Sequence, residues 1–252
     1  MILYIFVLFY GLFLGSFYNV VGLRIPANQS IVKPRSACPN CKHTLGPLEL
    51  IPVLSYVFQR GKCRVCKTGI SPLYPIMELL TGLLFLAAPF ILGWTYELWI
   101  AWTLISLFII ITVSDLAYML IPDKILLFFA GIFIIERFLI PLTPWWDSLL
   151  GAAIGFILLL IIAVVSKGGM GGGDIKLYTV IGFVIGSKLL LLSFFLATLI
   201  GAIFGIIGLA LGILERKKPM PFGPFIAIGA LLAYFYGDTF ISTYLQLMTF
   251  EW

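Results

Sequence analysis

Eight apolar runs dominate this chain, at 2–23, 73–92, 98–113, 125–140, 145–165, 175–185, 189–214 and 222–247. About 20 apolar residues wound as a helix cross a hydrocarbon layer roughly 30 Å thick, and inside that layer a backbone must satisfy its own hydrogen bonds, as a helix does. The runs therefore predict an all-α polytopic membrane protein of about eight transmembrane helices. With 62% hydrophobic and 11% charged residues, the 252-residue chain has too little polar surface for a soluble globule. The run at 175–185 is too short to cross alone, so it borrows flanking residues or begins inside a protein-lined cavity.

The formal net charge of +5 does not point to nucleic acid. Its basic residues sit in short segments between the apolar runs, where they act as topology determinants. With the N-terminus outside, Arg24, Lys33, Arg35, Lys42, Arg60, Lys62, Arg64, Lys67, Lys124, Lys167, Lys176 and Arg216 to Lys218 all face the cytosol. Arg137 and Lys188 are left outside. No basic region precedes the first apolar run, so that run reads as a retained membrane anchor and not as a cleaved leader.

Two aspartates lie where a membrane chain rarely places them. Asp115 ends the run IITVSDLAYMLIPD, and Asp174 closes the glycine-rich GGMGGGDIK. A carboxylate at membrane depth costs several kcal/mol, roughly, and is a functional-site hypothesis by default. The topology brings both to the cytosolic edge, where they can meet. Two carboxylates in one low-dielectric pocket cannot both ionise cheaply and so share a proton, as in aspartic proteases: one activates water, the other donates to the oxyanion. Glycines 168, 169 and 171 to 173 clear side chains ahead of Asp174, letting a substrate strand approach. A transporter or proton-coupled carrier using the same carboxylates is the competing reading, and the glycine run is equally readable as a packing device or a hinge.

The polar segment 24–72 carries a second constellation. Cys38-Pro-Asn-Cys41 and Cys63-Arg-Val-Cys66 are two C-x-x-C knuckles, and together they use every cysteine of the chain. Their spacing predicts a small cytosolic zinc-ribbon-like segment in which zinc supplies much of the folding energy. A redox pair is the alternative. His43 reads as a surface residue of the ribbon. The expected division is a first transmembrane helix at 1–23, the zinc segment at 24–72 and a membrane peptidase domain at 73–252.

Taken together, the pieces GSFYNVVGLRIP at 15–26, PRSACPNC at 34–41, LIPVLSYVFQRGKCRVC at 50–66, ISPLYPIMELLTG at 70–82, DLAYMLIPD at 115–123, GGMGGGDIKL at 168–177 and PFGPFIAIGA at 221–230 resemble the bacterial prepilin peptidases, in order and over nearly the whole chain. The overall likeness is greatest to the competence-type enzymes of Gram-positive bacteria. The resemblance implies a two-aspartate membrane peptidase that removes the short basic leader of type IV prepilins or competence pseudopilins after a glycine at the cytosolic face. It also implies methylation of the new N-terminus by S-adenosylmethionine. Carried over residue by residue, Asp115 and Asp174 are catalytic, while Asp123, Gly171, Gly173 and Lys176 are supporting. Lys176 either tunes or orients at that site or is a positive-inside anchor.

The cytosolic segment shows no dinucleotide-type glycine fingerprint. Glu78, Gly61 and Lys62 are the cofactor candidates; Glu78 is equally readable as an interfacial anchor, and Arg60 to Lys62 as the approach to the second knuckle. The expected partners are pilin precursors and membrane lipid, without nucleic acid, and the expected state is a monomer or weak homodimer. The pairs Gly11/Gly15, Gly151/Gly155, Gly182/Gly186 and Gly201/Gly205 are expected to serve packing within the chain. Met220 to Pro224 reads as a rigid turn into the last run.

Overall fold

The computed structural model describes residues 1–167, 169–212, 215 and 220–249; Gly168 of the glycine run and Arg216 to Lys218 lie outside the described residues. The element order is α1 (Ile2–Arg24), a 3-10 turn (Pro47–Leu50), α2 (Leu54–Phe58), α3 (Leu73–Leu92), α4 (Glu97–Tyr118), α5 (Asp123–Leu139), α6 (Asp147–Val165), α7 (Gly172–Ala210) and α8 (Gly223–Thr249). Apart from two isolated bridges in the polar segment, the described residues are helical or irregular. Helices α1, α3, α4, α6, α7 and α8 are long and apolar enough to cross a membrane by length and composition. The 17-residue α5 is slightly shorter.

The eight predicted runs fall on seven helices, because α7 contains both 175–185 and most of 189–214. At about 1.5 Å per residue, its 39 residues would extend roughly 58 Å, nearly twice a bilayer's apolar thickness. The chain breaks this length at Gly186, whose φ of 79° and ψ of 174° are non-helical. Two side chains satisfy the backbone groups this exposes. Arg137, buried near the end of α5, donates from Nε to the Val184 carbonyl at 2.7 Å. Asp147, opening α6, accepts from the Ser187 N–H at 3.2 Å and from the Ser187 hydroxyl at 2.5 Å. A break at membrane depth is tolerated only when its polar groups find such partners. This gives the buried Arg137 a structural role.

A Cβ at Gly186 would fall on the Asp147 carboxylate, and its φ lies in the region that favours glycine. Gly186→Ala should therefore destabilise the protein by about 1–3 kcal/mol from backbone strain alone, with more from displacing Asp147. The check is a thermal melt in detergent; an unchanged midpoint would show that the break is not the fixed joint described here.

The chain forms two compact units, Met1–Tyr118 and Met119–Trp252. In the first, α1, α3 and α4 pack on one another. Small residues on α1 set the closeness: a Cβ on Gly15 would stand 2.8 Å from the Glu78 Cα. At the far end from the polar segment, Tyr4 stacks on Phe90, and Trp94, Trp99 and Trp102 gather beside them. Such aromatics are typical of a membrane–water interface. In the second unit α7 is central, packing on α5, α6 and α8. A Cβ on Gly151 would fall on the Gly182 carbonyl, so α6 and the first half of α7 meet backbone to backbone. Gly15 of α1, Gly151 of α6 and Gly182 of α7 are thus closely packed within the chain.

Candidate active site and metal centre

Asp115 lies in the last turn of α4, in the first unit, and only 6% of its surface is exposed. Holding a carboxylate there is what the sequence makes costly. In the second unit, Asp174 is the third residue of α7. Gly171 stands in extended conformation just before the helix, and its N–H donates to Asp174 Oδ2 at 3.2 Å while the Asp174 N–H donates to the Gly171 carbonyl at 3.1 Å. This reciprocal cap sets the carboxylate at the positive end of the helix, the favourable end for negative charge.

Gly173 has a separate reason to be glycine: a Cβ there would stand 2.8 Å from the Ile121 Cβ. The connection 119–122 therefore lies against the first turn of α7. Just beyond it, Lys176 Nζ holds both Asp123 carboxylate oxygens, at 2.7 and 2.8 Å, joining the starts of α5 and α7. Both partners are more than half exposed. Exposed pairs of this kind contribute about 0–1 kcal/mol. Asp123→Asn should accordingly slow the peptidase activity that the resemblance implies by less than about tenfold. Initial rates on a purified precursor provide the measurement, and complete loss would make Asp123 a catalytic group.

In the polar segment the two knuckles are built alike. Each residue of the second lies 25 positions after its counterpart, Cys38 with Cys63 and Cys41 with Cys66. Cys38 N–H donates to the His43 carbonyl at 2.9 Å, and Cys63 N–H to the Thr68 carbonyl at 2.8 Å. Lys42 and Lys67 each turn the chain with a φ near 60°. The outcome is a cluster in which all four sulfurs lie within 4.8 Å of one another. Cys38 and Cys66 sulfurs are 3.7 Å apart, and Cys41 and Cys63 sulfurs 3.9 Å. These are not disulfide distances; four sulfurs about 2.3 Å from a tetrahedral ion stand roughly 3.8 Å apart. The donor set therefore fits a metal ion.

Contacts with the Thr68 side chain and backbone lower the Cys66 thiol from its ordinary value, while its sulfur neighbour Cys41 is raised. His43 stands outside the cluster, its ring 3.1 Å from Glu49. The Gly46 N–H and then His43 hold the Glu49 carboxyl below its ordinary value.

Glu78 is buried in the second turn of α3 and accepts from the Val53 N–H at 2.7 Å. Val53 is a β-branched residue with a φ of 60°, a strained conformation that this bond helps to hold. Gly61 has a φ of 69°, and a Cβ there would meet the Tyr56 hydroxyl at 2.9 Å. Lys62 lines a cleft of about 740 Å³, with Glu49, Ser55, Phe58, Arg60 and Arg64 among its walls. Sequence reasoning missed the Val53 tie, the knuckle repeat and the Asp147 cap. Of these, the repeat was readable from C-x-x-C-Lys occurring twice, and the cap from Gly186-Ser187 following an apolar run.

Comparison with known proteins gives two family matches, the Bacterial Peptidase A24 N-terminal domain over residues 9–92 and the Type IV leader peptidase family over 102–206. A Bacillus subtilis (strain 168) protein named prepilin leader peptidase/N-methyltransferase is 50% identical, covering 94% of this chain and 96% of its own length. Proteins of the same name from Pseudomonas aeruginosa and Aeromonas salmonicida are 35% and 34% identical, covering 96% and 95% of this chain and 93% of their own lengths. No solved structure matches. Nothing in these matches supports the carrier alternative. The four-cysteine cluster, the apolar helices and these matches along nearly all of its length agree: the chain belongs to the type IV leader peptidase family.

Proposed function

We propose that this protein is a multi-pass membrane aspartic peptidase that removes the leaders of type IV prepilins or competence pseudopilins and methylates the N-terminus it creates. The observation that carries the reading is the burial of Asp115 at the end of an otherwise apolar helix, in a chain whose second retained carboxylate, Asp174, is capped at a helix start. The charge distribution supports an outside N-terminus and a cytosolic segment 24–72. Counting crossings from there, α4 ends and α7 begins on the cytosolic side, where a basic leader precedes the apolar helix of its precursor.

In the proposed mechanism the ionised aspartate takes a proton from a water attacking the carbonyl of the glycine before the cut. The protonated aspartate donates to the developing oxyanion, and collapse transfers a proton to the leaving amine. Gly171 caps Asp174 and Gly173 admits Ile121, while open space beside Gly172 leaves room for an extended substrate. Asp123 and Lys176 hold the starts of α5 and α7 in register.

Cys38, Cys41, Cys63 and Cys66 hold zinc, whose role is to fold the 24–72 segment. S-adenosylmethionine supplies an electrophilic methyl group for the new amine. Gly61, with its close-set turn, and Lys62 carry the cofactor at the cleft beside the second knuckle, where Lys62 and Arg60 can neutralise its carboxylate. Glu78 stands one strained residue from α2 and holds the segment to α3, or receives the substrate amine.

Co-expression with a candidate precursor, followed by mass measurement of the mature N-terminal peptide, tests the whole reading. Leader loss with one added methyl is the expected product. Glu78→Gln separates the two roles of that residue. If it handles the amine, the variant cuts normally and releases unmethylated product; normal methylation makes it a tether only. An uncut precursor with the unaltered protein would refute the peptidase reading.

A further inference from the structure

We propose that α2 is a membrane-docking element that lies in the headgroup layer of an anionic leaflet, holding the cysteine-rich segment flat against the bilayer. The inference rests on the multi-pass setting and not on the proposed activities. Leu54 and Val57 follow the i, i+3 spacing of one helix face and are 49% and 62% exposed, and Phe58, 81% exposed, stands at the edge of that face where it meets the cleft. Apolar exposure is unremarkable on a lipid-facing transmembrane helix; here it occurs on a five-residue helix in the polar segment, within the first unit. A patch of this sort marks an interaction surface.

Its height is fixed by three bonds. Val53, preceding α2, is held by Glu78 in the second turn of α3; the Tyr56 hydroxyl donates to the Ile70 carbonyl; and the Ile70 N–H donates to the Gly61 carbonyl. Both ends of α2 are therefore fastened beside the start of a membrane helix, at the depth of its first turns. An apolar face at that depth meets lipid.

Charge selects the lipid. Between residues 25 and 72 the chain has seven basic residues, Lys33, Arg35, Lys42, Arg60, Lys62, Arg64 and Lys67, against the single acid Glu49. All seven basic residues are exposed. Basic groups are attracted to an anionic leaflet, and a few apolar side chains add insertion. A basic peptide would be repelled by the same surface, which leaves anionic phospholipid as the occupant the chemistry favours.

The test replaces Val57, which lines neither the cleft nor the aspartate sites, with photoreactive benzoylphenylalanine. The full-length, zinc-loaded protein is placed in nanodiscs of phosphatidylcholine alone or with phosphatidylglycerol, irradiated and weighed. The expected result is a phospholipid adduct at position 57 whose yield rises at least about threefold with phosphatidylglycerol. Adding Leu54→Ser should lower that yield while zinc content stays unchanged. The proposal is overturned by crosslinks to protein in place of lipid, by no adduct in either disc, or by equal yields in both.

Discussion

Asp115→Asn and Asp174→Asn are each expected to reduce precursor cleavage by at least about a hundredfold, and up to ten-thousandfold, while the protein still inserts and binds zinc. An amide keeps the size of the carboxylate and loses its proton chemistry. In the shared-proton arrangement neither aspartate can replace the other, because one must accept from water while its partner donates. The losses should therefore be similar for the two residues and should not add in the double variant, as for groups that act as a unit. Initial rates on a purified precursor in detergent measure this. A single variant cutting at near the unaltered rate would remove that residue from the catalytic pair. Neither change should prevent methylation of an already trimmed pilin, whose amine exists before the enzyme meets it.

The second large effect concerns the metal. The purified protein should contain about one zinc per chain, and Cys38→Ser with Cys41→Ser should release it. Two features of the segment make the loss structural. It has little apolar core, with Cys38 and Cys63 themselves among its buried residues. Its two knuckles are also tied to each other through sulfur contacts and the bond from Asn40 to Thr68. Structural zinc contributes on the order of 10 kcal/mol to such small folds. Residues 24–72 should accordingly become sensitive to protease in the variant, while the membrane helices remain protected. A segment that stays resistant without metal would show that its peptide contacts suffice.

Much of this was legible in the chain because lipid imposes simple rules. The apolar runs mark membrane helices through length and hydropathy alone, and even the division of α7 at Gly186 was visible as an interruption between two runs. The cysteines were legible because tetrahedral coordination by four thiolates needs two close pairs, and the sequence has only those. Asp115 stood out because its cost in an apolar run is high.

What stayed hidden was tertiary. Arg137 read as a stray outside charge, whereas its guanidinium serves the Val184 carbonyl 47 residues onward. Asp147 looked like an ordinary helix start, and its partner Ser187 is 40 residues away. Glu78 was recognisable as a carboxylate out of place, but its bond to a strained Val53 has no local signal. Lys176 offered several readings in sequence, and its distance to Asp123 selects an ion pair.

The proposed peptidase mechanism requires Asp115 and Asp174 to act together. The most direct measurement replaces both with cysteine in the zinc-loaded protein and treats it with a short bifunctional thiosulfonate, reading the intact mass and the linked peptides. A shared site predicts a crosslink between positions 115 and 174 in most molecules, with the four zinc-bound cysteines unmodified, since disulfide-scale bridging requires Cα atoms within about 7 Å and a short reagent extends that only slightly. Both thiols reacting separately, with no linked peptide, would contradict the two-aspartate site.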